Sequence, residues 1–165
     1  MGAINQAFNQ AAGAAAGAAL AIKHAQETDE SKMNAAEHSA LIARNQANTA
    51  ETEYDTAAAE NEYSTDEKGK TESLLLRSRK AEIKFGEAKD ALSKARERKN
   101  VSRKTLDKKL NDVLAARSAA DSLKVKIEAL NAMAERAAEQ RAYADKATQL
   151  AEKAQQKYQS KWGIK

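Results

Sequence analysis

Alanine recurs at steps of three and four residues through one long stretch of this 165-residue chain. Alternating steps of three and four keep one side of an α-helix facing a partner helix, as in a coiled coil. Alanine buries little area, so each contact stabilises such packing only weakly and the seam needs length or many copies. We therefore predict an oligomer, with an intramolecular hairpin as the alternative. The predicted oligomer seam consists of Met33, Ala36, Ala40, Ala43, Ala47, Ala50, Tyr54 and Ala57.

The absence of proline and the presence of only six glycines leave nothing in the middle of the chain that forces a turn. Alanine, lysine, glutamate, glutamine and arginine are good helix formers. We predict an all-α fold of long, alanine-rich helices, arranged as an elongated helical hairpin or a coiled-coil bundle. A second apolar pattern follows the first and consists of Leu106, Leu110, Val113, Ala116, Ala120, Leu123, Ile127, Leu130, Ala134 and Ala137.

Changes of composition divide the chain into five predicted segments. Ser64 and Glu67 have the spacing of a capping box, while Gly69 is a natural helix stop, so a loop is predicted around them. Asn100 or Ser102 is suited to cap a new helix. The segments are an apolar segment over 1–28, an acidic alanine-seamed helix over 29–64, a loop over 65–71, a basic helical region over 72–161 with a weaker break near 100–102, and a tail over 162–165.

The apolar segment contains a run of twelve small or aliphatic residues, 11–22. Gly13 and Gly17 lie on one face of any helix formed there, which is the small-xxx-small pattern of closely approaching helices. Twelve residues are too few for a single span of a bilayer, which needs about 20. We predict an assembly element that meets lipid only as part of a ring. Its close-packing or membrane-contacting residues are predicted to be Gly13, Gly17, Leu20 and Ile22.

Charge is divided unequally along the chain. Residues 1–67 carry three basic and eleven acidic side chains, whereas residues 68–165 carry twenty-five basic and thirteen acidic ones. Two interpretations stay open for the basic half: it pairs with the acidic half, or it contacts phosphates. No aromatic side chains alternate with the basic ones, so any contact with DNA would be non-specific. The predicted phosphate contacts are Arg77, Arg79, Lys80, Arg96, Arg98, Lys99, Arg103 and Lys104.

Residue patterns that indicate catalysis are missing from the sequence. The two histidines, His24 and His38, do not have the Glu-x-x-His spacing of a di-metal helical bundle. The chain has no cysteine and no phosphate-binding glycine loop. We therefore expect no enzyme activity, no catalytic residues, no cofactor and no bound metal. The aromatic and basic residues near the C-terminus suit either a membrane interface or a neighbouring subunit, and we favour the subunit.

The apolar run 11–22 and the alanine seam 33–57 together resemble the small internal virion (DNA-ejection) proteins of short-tailed bacteriophages. The chain departs from that family in lacking proline near the apolar segment and in its clean heptads. The resemblance implies a homo-oligomer stored in the virion interior, in contact with portal or tail proteins. After release it would lie in the host cell envelope, in conditional contact with the membrane, and help the genome through.

Three other functions are compatible with the same residues. A non-viral, cytoplasmic coiled-coil scaffold that binds partner helices explains the heptads equally well. A membrane-active toxin or secretion translocator explains the apolar segment but not the basic region. A protein that condenses nucleic acid would use residues 77–109.

Overall fold

Three α-helices make up most of the computed structural model, which describes residues 2–65, 71–98 and 100–163. The predicted all-α class is confirmed, and the long helices pack against each other. A short β-hairpin, which the sequence did not lead us to expect, lies between the first two helices. The elements in chain order are α1 (Gly2–Glu62), β1 (Tyr63–Thr65), β2 (Thr71–Ser73), α2 (Leu74–Glu97) and α3 (Arg103–Trp162).

The hairpin replaces the two ends of the predicted loop over 65–71. Its strands are antiparallel, and Thr65 pairs with Thr71. Tyrosine and threonine favour extended backbone, which explains why pairing begins directly after α1. The helix cap also differs from the prediction: Ser64 lies in β1, and Ser73 caps α2 by accepting a hydrogen bond from the Leu76 amide at 3.3 Å. Glu67 and Gly69 lie outside the described residues.

The ends of α3 are set by two further local signals. At its start, the Ser102 side chain accepts a hydrogen bond from the Thr105 amide at 3.2 Å, so Ser102, one of the two predicted caps, is the residue used. At its end, Gly163 adopts φ 64°, a conformation that favours glycine, and its amide binds the carbonyl of Gln159 at 2.9 Å. The predicted break near 100–102 lies between α2 and α3.

Contacts divide the chain into two units, and the first contains residues 1–48 and 139–165. Here α1 and α3 run antiparallel and meet through alanine. Ala43, Ala47 and Ala144 are each at most 1% exposed and form a cluster against which Ala147 packs. Across the same interface the Arg44 guanidinium donates a hydrogen bond to the Thr148 hydroxyl at 3.0 Å. Small side chains therefore bring the two helices together, as the alanine seam predicts.

The second unit, residues 49–138, contains the end of α1, the hairpin, α2 and the start of α3. The Arg136 side chain forms an ion pair with Glu53 at 3.9 Å, which links α3 to α1. The Arg77 guanidinium donates to the carbonyl of Asn61 at 2.5 Å, which links α2 to the end of α1. Among the described residues of this unit, the buried ones are Ala50, Glu72, Leu74, Leu92, Ala95, Ala120 and Ala137.

The second apolar pattern needs one correction. Leu110 was predicted on the buried side of α3, but it is 42% exposed, and Lys109 is the half-buried residue. Counting Lys109 instead of Leu110 removes the only two consecutive steps of three and restores strict alternation of three and four. A lysine stem can cover apolar surface while its ammonium stays in water. The helix thus keeps the regular period at the cost of one exposed leucine.

Candidate functional surfaces

The predicted oligomer seam is covered by the chain itself. Ala40, Ala43, Ala47 and Ala50 are buried, and the other four seam residues are half-buried. In the first unit their cover comes from α3, through residues such as Ala144. The structure therefore realises the intramolecular alternative for this seam, because one chain supplies both helices and a second copy is not needed to bury it.

The aromatic residues near the C-terminus also contact their own chain. Tyr158 is only 8% exposed, and the Trp162 indole N–H donates a hydrogen bond to Asp29 Oδ2 at 3.3 Å. Lys161 forms an ion pair with the same oxygen at 2.5 Å. Their predicted use in a neighbouring subunit stays a prediction. Of the predicted tail, residues 164 and 165 lie outside the described part of the chain.

Asp29 is held in its ionised form by these contacts. The hydrogen bond from Lys161 is the main reason that the pKa of the Asp29 carboxyl lies below its ordinary value of 3.8. Partial burial opposes this effect, while Trp162 and the nearby Lys32 add to it. We call the contacts of Asp29 with Lys161 and Trp162 the terminal clasp. The predicted seam could have indicated that Asp29 faces α3, because Asp29 lies four residues before Met33 and so continues the same side of the helix.

Residues 16–25 of α1, which precede the terminal clasp, are not covered by α3. Every described side chain from 14 to 25 is exposed, and the first half-buried residue is Gln26. Leu20 and Ile22 are 69% and 58% exposed. A methyl group added at Gly17 would meet no atom within 4 Å. We call residues 14–25 the free apolar segment. Gly13, another of the predicted close-packing residues, lies outside the residues whose burial the structure describes.

The predicted phosphate contacts separate into two groups. Arg77 and Lys80 are used inside the chain, since Arg77 binds the Asn61 carbonyl and Lys80 forms an ion pair with the buried Glu72. The others with described side chains are all exposed, and none of them forms a side-chain hydrogen bond or ion pair in the described part of the chain; they are Arg79, Arg96, Arg98, Arg103 and Lys104. Lys99 lies outside the described residues.

Four of these five exposed basic side chains lie near the turn between α2 and α3. Arg96 and Arg98 lie at the end of α2, while Arg103 and Lys104 open α3. Arg79 stands apart, because Arg96 lies seventeen positions further along α2, about 25 Å at 1.5 Å per residue. Four of the eight predicted residues therefore lie on either side of this turn.

Two other kinds of site are absent from the described residues. No helix in that part of the chain is long and apolar enough to cross a membrane. No group of three histidine, aspartate or glutamate side chains there is arranged to hold a metal ion. The chain matches no protein-family model, no curated protein and no solved structure.

Proposed function

We propose that this protein is an internal virion protein of the DNA-ejection class, stored in a phage particle and assembled into a conduit across the host envelope for genome delivery. The observation that carries the proposal is the free apolar segment. Within it, residues 16–22 form a smooth helical surface of alanine, glycine, leucine and isoleucine that the chain leaves open. Such a surface is suited to close contact with other copies, and in a ring to contact with lipid.

The alanine interface between α1 and α3 supports the same proposal. Because Ala43, Ala47 and Ala144 bury little area, separating them costs less than separating leucine side chains would. In the described part of the chain no large side chain is fully buried. Helices held in this way are suited to change partners between a stored and an assembled form.

A double substitution tests whether the free apolar segment is needed for self-assembly and membrane contact. Leu20→Gln with Ile22→Gln removes its two large aliphatic side chains, and Tyr143→Gln with Leu150→Gln removes two similarly exposed apolar side chains from α3. Sedimentation reports self-assembly, and dye release from lipid vesicles reports membrane contact. We expect the unsubstituted chain and the α3 variant to assemble and to release dye, and the α1 variant to lose both activities. A strictly monomeric unsubstituted chain would refute the proposal.

The second candidate is the coiled-coil scaffold, and one observation favours it. Leu110, Leu114 and Val125 share an outer face of α3 and are 42%, 54% and 62% exposed. A row of aliphatic residues at these spacings suits a partner helix. A chain without residues 1–22 distinguishes the two functions: unchanged assembly and unchanged dye release would favour the scaffold over the conduit.

A further inference from the structure

In the described part of the chain, six basic side chains flank the turn between α2 and α3, and we call them the turn patch. All six are exposed. Residues 94–108 contain only two acidic side chains, Glu97 and Asp107, so the local charge is strongly positive. The turn patch consists of Lys94, Arg96, Arg98, Arg103, Lys104 and Lys108.

These cations are not used to hold the chain together. Within the described residues, none of the six side chains takes part in an ion pair or a side-chain hydrogen bond. By contrast, Arg77 and Lys80 near the other end of α2 both have partners. The turn patch therefore differs from the basic residues that stabilise the hairpin end of the same unit.

Helix stability also fails to explain the charges at the start of α3. The N-terminus of a helix carries a partial positive charge and favours acidic side chains. The first turn of α3 contains no acidic residue and instead contains Arg103 and Lys104. Lys94 and Arg96, in the last turn of α2, do suit the negative end of their helix. The two cations of α3 thus oppose the local field, and an external anion would offset that repulsion.

The uncharged residues of this region indicate which anion fits. Ala95 is buried, and Val101 and Leu106 are half-buried, so the apolar side chains turn toward the chain. A folded protein partner would need an apolar anchor at the centre of its contact, and the turn patch offers none. Single-stranded nucleic acids stack their bases on aromatic side chains, and residues 94–108 contain no aromatic residue.

We propose that the turn patch binds the phosphate backbone of a nucleic-acid duplex without reading its sequence. Repeated, exposed cations without apolar or aromatic neighbours match the repeated charge of such a duplex. This inference goes beyond the proposed function, because it requires neither the free apolar segment nor any assembly. It belongs to the second unit alone.

The experiment measures binding of the full chain to a short random-sequence DNA duplex by fluorescence anisotropy over a series of salt concentrations. The test variant carries Arg98→Gln, Arg103→Gln, Lys104→Gln and Lys108→Gln. The control variant carries the same loss of charge at four exposed lysines elsewhere on α3: Lys124→Gln, Lys126→Gln, Lys146→Gln and Lys153→Gln.

We expect the plot of log affinity against log salt to become shallower by about 0.9 for each phosphate contact removed, hence by about three to four in the test variant. At low salt its affinity should fall by at least about tenfold, while the control variant should stay within about threefold of the unsubstituted chain. Because two unfavourable charges leave the start of α3, the melting temperature of the test variant should not fall.

Several results would overturn the proposal. These are no binding by the unsubstituted chain, equal losses in both variants, or equal affinity for a single-stranded oligonucleotide. Displacement of the duplex by polyglutamate at equal charge would assign the patch to an acidic protein segment instead. If the fourfold variant does not fold, Arg103→Gln with Lys104→Gln provides the same test with half the effect. None of these results bears on the assembly of the free apolar segment.

Discussion

Helix α1 contains two alanine-rich regions that differ in their surroundings. Around Ala43 and Ala47 the helix is covered so closely that both residues are at most 1% exposed. Over the free apolar segment, residues 14–25, every described side chain is exposed. Alanine content is high in both regions, so composition alone does not decide burial. What differs is the presence of a partner helix, because α3 ends at Trp162, which is bound to Asp29.

The comparison shows how one helix can hold a fixed contact and an open one. Near Ala47, small side chains permit close packing within the chain. Around Gly17, equally small side chains leave a surface that the chain itself does not use. Substitutions that add volume should therefore destabilise the fold near Ala47 and leave its stability almost unchanged in the free apolar segment.

The largest effect on stability is expected from Ala47→Leu. Ala47 is fully buried, so the larger side chain must displace its neighbours, and we expect a loss of about 1–3 kcal/mol in the free energy of unfolding. Ala19→Leu makes the same change on the exposed part of α1 and should stay within about 0.5 kcal/mol of the unsubstituted chain. Urea unfolding followed by circular dichroism measures both. Equal losses would show that the two regions do not differ as described.

A smaller effect of the opposite sign is expected from Gly17→Ala. Alanine is the better helix former by about 1 kcal/mol, and the added methyl group meets nothing within the chain. Helix content should rise, while self-assembly, if it uses the glycine face, should weaken. Gly86→Ala in α2 is the matched control, because that position is equally open. It should raise helix content without changing sedimentation. Assembly that is equally strong in both variants would remove Gly17 from the contact.

The sequence predicted the helices well, because their period is a local property of the residues. Steps of three and four marked the buried side of α1 correctly. The same rule, applied strictly, predicts that Lys109 and not Leu110 lies on the buried side of α3. We predicted Leu110 there because apolar side chains are usually the buried ones. Which helix covers the seam could not be predicted, since a partner from the same chain and a partner from another copy require the same alanines.

The candidate surfaces were predicted less completely. Counting basic residues could not separate Arg77 and Lys80, which bind within the chain, from the exposed basic side chains at the turn between α2 and α3. That distinction depends on where the hairpin places Glu72 and on where α1 ends. The terminal clasp was missed because its two sides are more than a hundred residues apart in sequence.

The terminal clasp marks the border between the two regions of α1, and its removal is expected to have the smallest effect. Asp29→Asn removes the charge that Lys161 and Trp162 contact, so amide hydrogens in the last turn of α3 should exchange faster. Glu30→Gln removes a neighbouring exposed carboxylate and is the control. Unchanged exchange in Asp29→Asn would mean that packing around Tyr158, and not the charge, holds the end of α3.

Acid should open the same clasp in the unsubstituted chain. Because folding lowers the pKa of Asp29, its contribution to stability is present above the ordinary pKa of 3.8 and is lost as the pH falls through the lowered value. Trp162 is the single tryptophan of the chain, so its fluorescence reports the event directly. The fluorescence should change over that acid range in the unsubstituted chain and in Glu30→Gln, and stay constant in Asp29→Asn. A change that persists in Asp29→Asn would assign the acid response to another carboxyl group.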